Sequence, residues 1–144
     1  MVPQNTWGFS NRSCLLIFKE GLILKPGETG VKRVIHATRY SISGISSAWV
    51  HEAAFRQEVV LMVILSCLAV MLPVENYERT LLISSLFLVV IVELLNSSIE
   101  VVVDRVGEEW NELSGRAKDI ASAAVFISII NVVYVWSSII IHIL

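Results

Sequence analysis

The sequence predicts an all-α membrane protein with three transmembrane helices and an N-terminal amphipathic surface helix. Three observations carry that expectation. Of the 144 residues, 55% are apolar and 17% charged, against roughly 45–50% and about 25% in soluble domains. The apolar excess is gathered into three runs instead of being spread along the chain. The segment before the first run has helical apolar spacing and a basic start.

Residues 1–30 contain a short apolar patch, then Pro26, Gly27 and Gly30 as breakers. They lack the basic start and longer apolar core of a signal peptide. The reading is a poorly ordered extension, or a start codon assigned too far upstream. The glycosylation triplet Asn11-Arg12-Ser13 has no meaning on a cytoplasmic segment. Next comes VKRVIHATRYSISGISSAWVHEAAFRQE. Its apolar residues Val34, Ile35, Ile42, Ile45, Ala48, Trp49 and Ala53 are spaced as on one helix face. A helix of this kind lies on the cytoplasmic membrane surface, over about 31–56, with a bend at Gly44.

The first apolar run is VVLMVILSCLAVMLPV, extended N-terminally through Gln57 and Glu58 to give a span over about 57–74. Pro73, Glu75 and Asn76 close it, and the short connection makes the next span its antiparallel neighbour. The second span covers about 80–103 and the third about 120–142. A spanning helix needs roughly 20 mostly apolar residues. The third run is too long and too uniformly apolar for a helix buried in a soluble bundle.

Lysine and arginine set the topology. Lys19, Lys25, Lys32, Arg33, Arg39 and Arg56 precede the first span, whereas the first loop has Arg79 alone. Arg105, Arg116 and Lys118 lie in the second loop. The positive-inside rule puts the N-terminus and the second loop in the cytoplasm. Tyr77 and Trp136 suit an outer aromatic belt, and Trp49 and Trp110 an inner one. A net charge of −2 gives no basic face for nucleic acid. Cys14 and Cys67 make neither a disulfide framework nor a zinc motif.

The second span carries its own contradiction. In VELLNSSIEVVVDRVG, Glu93, Asn96, Glu100 and Asp104 stand at i, i+3, i+7 and i+11. At about 100° per residue they fall on one narrow helix face, with Leu95 and Val102 opposite. A carboxylate at the bilayer centre costs at least ~2.5 kcal/mol, so the stripe should face a protein-lined, hydrated cavity near the cytoplasmic end. Such carboxylates can hold Mg²⁺, which prefers hard oxygen ligands and substrate phosphates. A partly desolvated glutamate can serve as a general base near neutral pH. The same stripe could relay protons or ions, or fix helix packing through Asn96, Ser97 and Ser98. The following loop adds Glu108, Glu109 and Glu112, a Ser114-Gly115 turn, and Lys118, a point charge suited to a polyphosphate. No soluble nucleotide-binding motif is present.

Four stretches then make the pattern specific: HEAAFRQE at 51–58, RTLLISS at 79–85, VELLNSSIEVVVDRVG at 92–107 and ELSGRAKDIASAAV at 112–125. Together they closely resemble the small prokaryotic diacylglycerol kinase family, from about Gly30 to the C-terminus without an evident gap. The resemblance implies a membrane-embedded kinase domain over 31–144, forming a homotrimer in the bacterial inner membrane with its active site facing the cytoplasm. It implies transfer of the ATP γ-phosphate to the primary hydroxyl of diacylglycerol, giving phosphatidic acid.

Carried onto this chain, Glu93 would be the base and Asn96 would order the site beside it. Glu52 and Glu100 would hold the Mg²⁺ bound to ATP. Lys118 and Asp119 would contact the nucleotide, with Glu109, Trp110, Asn111, Tyr40 and Arg33 completing its pocket. The lipid would lie near Ser46, Ser47, Ala48 and Trp49, along Ala54, Phe55, Arg56, Gln57 and Glu58, and near Arg79, Glu93, Ser122 and Trp136.

The chain departs from the family pattern at three positions. Asn111 stands where a histidine is common, and Ile42 and Ser46 replace a usual tryptophan and a basic residue. Two other functions compete with diacylglycerol phosphorylation. One is an undecaprenol kinase of the same family; the other is a non-enzymatic ion-relay protein, which has no need of Glu52 and Lys118 outside the bilayer.

Overall fold

The computed structural model describes residues 30–106, 109 and 111–143. The expected extension before Gly30 lies outside the described residues, as does Trp110. Every regular element described is an α-helix: α1 (Val31–His51), α2 (Ala53–Met71), α3 (Asn76–Val106) and α4 (Glu112–Ile143). The chain divides into two compact units, Met1–Ser41 and Ile42–Leu144.

In the first unit the described residues are Gly30 and the first part of α1. Gly30 has φ +74, a left-handed conformation that glycine adopts without steric cost. The apolar side chains Val31, Val34 and Ile35 are exposed, as they would be on a helix that meets a lipid surface.

In the second unit α2, α3 and α4 are each long and apolar enough to cross a membrane. α1 runs without interruption past Gly44, so the break expected there lies instead at Glu52, which takes extended dihedrals, φ −105 and ψ 114. The first spanning helix therefore begins at Ala53, four residues earlier than the charges suggest. Side chains from α2 fasten this junction. Arg56 Nη1 donates to the Trp49 and Val50 carbonyls at 2.8 and 3.2 Å, satisfying acceptors that a helix end leaves open. Phe55, 2% exposed, receives the Trp49 ring edge-on at 6.5 Å.

α3 and α4, at 31 and 32 residues, outrun the expected spans. At about 1.5 Å per residue each exceeds the ~30 Å hydrocarbon layer, so charged residues at their ends can reach water. α3 is the central helix and packs against both α2 and α4. The core is small: Ala69, Leu82, Leu86, Trp136 and Ile139, with Met62, Leu65 and Val132 against it. Many other large apolar side chains, such as Phe126 and Ile127, are exposed; in a bilayer they would meet lipid tails or neighbouring protein.

Arg79 and Asn111 fix the two connections. From the first turn of α3, Arg79 donates through Nε to Ala69 O at 3.3 Å and through Nη2 to Leu72 O and Val74 O, both at 3.3 Å. Its Nη1 donates to Asn76 Oδ1 at 3.1 Å. The guanidinium thus closes the C-terminal end of α2. In the other connection Asn111 Oδ1 accepts from Leu113 N at 2.9 Å and Ser114 N at 3.2 Å, the geometry of a helix N-cap. Ser114 and Gly115 lie inside the first turn of α4, so the turn expected at those two residues is the beginning of the helix.

Candidate functional site

The stripe on α3 turns inward. Glu93 is 4% exposed, Asn96 9% and Ser97 7%; Glu100 is half-buried and Asp104 exposed. Leu95 and Val102, on the opposite face, are 58% and 63% exposed. Burial therefore falls steadily along the polar face toward the end of α3 that carries Asp104. The gradient follows from cost. A carboxylate deep in hydrocarbon needs protein around it, whereas one at a helix end can reach water.

Within the stripe, Asn96 Nδ2 donates to Glu100 Oε1 at 3.1 Å, across one turn. Glu93 feels the charges of Glu100 and Glu52 and interacts with Glu58. Three carboxyl groups thus lie within electrostatic reach of Glu93: Glu100 of α3, Glu58 of α2 and Glu52 at the α1–α2 junction. The extended backbone at Glu52 matters here, because it sets the direction in which the chain leaves α1 and enters α2. Sequence periodicity alone grouped only the α3 residues; Glu52 entered through the resemblance.

Among the described residues no group of three or more His, Cys, Asp or Glu side chains is placed to hold a metal ion. The donors fit a divalent cation of the magnesium kind all the same. Glu52 and Glu100 are half-buried hard-oxygen donors, and Mg²⁺ characteristically takes one or two carboxylates and completes its shell with phosphate and water.

Lys118 Nζ pairs with Asp104 Oδ1 at 2.5 Å, joining the Asp104 end of α3 to the first turns of α4. The side chains are 38% and 67% exposed, so water competes for both ends of this pair. Asp119, Glu109 and Asn111 are exposed nearby in sequence. Asn111 is committed to capping α4. Arg33 and Tyr40, expected in the nucleotide pocket, belong to the first unit, and both are exposed.

The residues expected to meet lipid divide into three groups. Ser46, Ser47, Trp49, Ala54, Gln57 and Ser122 are exposed. Ala48 and Phe55 are buried, and Arg56 is half-buried with its guanidinium on the end of α1. Arg79 and Trp136 sit toward the opposite ends of α3 and α4 from Asp104 and Lys118. Arg79 is occupied by backbone carbonyls. Trp136, 8% exposed, is packed in the core with Ala69 and Leu82 instead of standing in an exposed aromatic belt.

Glu58 lines a 140 Å³ cavity whose other walls are apolar: Leu61, Met62 and Leu65 of α2, Leu86 and Val89 of α3, and Ile129 and Val132 of α4. Its Oε2 is buried without a hydrogen-bond partner. None of Glu93, Asn96, Glu100 or Asp104 lines this cavity, so it is distinct from the one expected beside the stripe.

Comparison with known proteins agrees with the pattern. Residues 39–140 match the family model described as prokaryotic diacylglycerol kinase. The chain is 56% identical over 108 residues to the diacylglycerol kinase of Escherichia coli strain K12, covering 75% of this chain and 88% of that one. It is 50% identical over 111 residues to the diacylglycerol kinase of Haemophilus influenzae, covering 77% and 94%. It is 45% identical over 111 residues to that of Helicobacter pylori strain 26695, covering 77% and 87%. The inward stripe, the carboxylates around Glu93 and this shared sequence identify the chain as a member of the prokaryotic diacylglycerol kinase family.

Proposed function

We infer that the protein transfers the γ-phosphate of ATP to the primary hydroxyl of diacylglycerol and so makes phosphatidic acid. Family membership supports the reaction. The observation that carries the site is Glu93, 4% exposed inside a spanning helix and within electrostatic reach of Glu52, Glu58 and Glu100. Burying a carboxyl group is costly, so its position calls for a compensating role.

Glu93 takes the proton of the lipid hydroxyl as the oxygen attacks the γ-phosphorus. The new bond joins the lipid oxygen to that phosphorus, and the bond to the β–γ bridging oxygen breaks, leaving ADP. Glu52 and Glu100 would hold Mg²⁺, which would supply charge neutralisation on the phosphates. Asn96 keeps Glu100 in place through its amide. Lys118 exchanges its exposed partner Asp104 for a phosphate oxygen. Asp119 and Glu109 sit at the nucleotide's edge, and the family resemblance adds Arg33 and Tyr40 to the nucleotide contacts. The lipid approaches along α2, with Ser46, Ser47, Trp49, Gln57 and Ser122 facing it. Phosphoryl transfer demands positioning and charge compensation more than covalent chemistry from the protein, so a bundle this small is chemically sufficient.

The chain works as a homotrimer in the bacterial inner membrane, with its N-terminus and site on the cytoplasmic side. The excess of lysine and arginine before the first span and in the second loop supports this orientation. The broad exposed apolar surface supports both a lipid surround and neighbouring subunits. Labelled ATP with Mg²⁺, offered to the purified protein with diacylglycerol or with undecaprenol, tests the substrate. Label in diacylglycerol is the expected result; label in undecaprenol alone would overturn the lipid assignment.

A further inference from the structure

Ser97 behaves unlike the other buried serines of these helices, Ser85 and Ser128. A serine inside a helix ordinarily returns its hydroxyl to a carbonyl three or four residues back. Ser85, Ser98, Ser128 and Ser137 all do so, at 2.7, 2.8, 2.7 and 2.6 Å. Ser97 does not. It is 7% exposed, and its Oγ is buried without any partner in the chain. A buried hydroxyl left unpaired is costly, and the usual local remedy is close at hand on the same helix.

Its position is informative. Ser97 follows Glu93 by four residues and precedes Glu100 by three, so all three share the buried side of α3. At about 100° per residue, Ser97 stands roughly 40° to one side of Glu93 and Asn96 about 60° to the other. Asn96 spends its amide hydrogen on Glu100, while its Oδ1 is likewise buried and unpartnered. Two adjacent side chains beside the buried carboxyl group thus carry unused hydrogen-bonding capacity in a setting that penalises it.

We propose that Ser97 Oγ–H donates to the oxygen of the lipid's primary hydroxyl and holds it against Glu93. This rests on the reading of the chain as a lipid kinase with Glu93 as base. The hydroxyl oxygen is then fully allotted. Its proton goes to Glu93, one lone pair accepts from Ser97, and the other faces the γ-phosphorus. The new O–P bond forms from that second lone pair as the proton passes to Glu93 and the bond to the β–γ bridging oxygen breaks. Ser97 neither gains nor loses a proton; it fixes which lone pair is free.

The full-length protein in lipid micelles, with diacylglycerol and Mg-ATP, tests this. Ser97→Ala should lower kcat roughly tenfold, leave KM for ATP unchanged, and leave the thermal unfolding midpoint equal or higher, because an unpaired buried hydroxyl is removed. Ser97→Cys, close in size but a weak donor, should fall between the parent and Ser97→Ala. It also serves if the alanine variant fails to assemble. Parent-like kcat in either variant would overturn the proposal. So would a lowered unfolding midpoint accompanied by unchanged turnover per folded protein, which would place the hydroxyl in subunit packing. No transfer to diacylglycerol by the parent protein would sink the kinase reading itself, and this inference with it.

Discussion

Asn96 and Glu100 are joined across one turn of α3 by a 3.1 Å hydrogen bond from the asparagine amide to the carboxylate. One is buried and the other half-exposed, so the bond ties the deep part of the polar stripe to its wet end. Asn96→Ala removes the tie and frees Glu100. The expected outcome is a higher Mg²⁺ requirement and a kcat lower by roughly tenfold or more, in line with a lost charge-assisted hydrogen bond. A Mg²⁺ titration of activity checks it; an unchanged half-saturating concentration would separate Asn96 from the metal.

Lys118 is held by Asp104 in an exposed pair. Exposed pairs add little to folding, so Lys118→Met should scarcely move the unfolding midpoint. It should raise KM for ATP about tenfold or more while KM for lipid stays put, because the lost charge belongs to the nucleotide side. Steady-state kinetics with each substrate varied in turn checks this, and a shift in lipid KM alone would contradict it.

Arg79 donates to three carbonyls at the end of α2 and to Asn76. A lysine cannot reproduce that fork. Arg79→Lys should therefore cost roughly 1–3 kcal/mol of stability, read as a lower unfolding midpoint, with turnover per folded molecule little changed. A variant as stable as the parent with a raised lipid KM would assign Arg79 to substrate contact instead.

Asn111 caps α4 through two backbone N–H groups. Asn111→Ala should cost about 1 kcal/mol and Asn111→Asp almost nothing, as the ranking of cap residues requires. Hydrogen exchange at Leu113 and Ser114 reads the local effect. Equal protection in the alanine variant and the parent would remove the cap from the account.

Much of this was legible in the sequence, and the residues show why some was not. The three spans follow from composition, and the inward face of α3 follows from a 3.6-residue period that one helix can display by itself. The break at Glu52 has no glycine or proline to announce it. Arg56 and Phe55 hold it from the following helix, and such reach is invisible along the chain. The α4 cap was readable in principle, since Asn111 stands directly before Glu112. Ser114 and Gly115 competed as a turn signal, and the cap chemistry at Asn111 prevailed. Trp136 looked interfacial by type and position, yet Ala69, Leu82 and Leu86 give it a core to enter. Glu58 and the apolar cavity it lines needed three helices to be placed together.

The central claim is that Glu93 accepts the lipid's proton during phosphoryl transfer. Phosphate transfer from labelled Mg-ATP to diacylglycerol, by the parent protein and by Glu93→Gln in the same micelles, tests it most directly. The parent should label diacylglycerol strongly and the variant at least a hundredfold less, the scale of general-base catalysis, with the helices still assembled. A folded Glu93→Gln protein with near-parent turnover would contradict it.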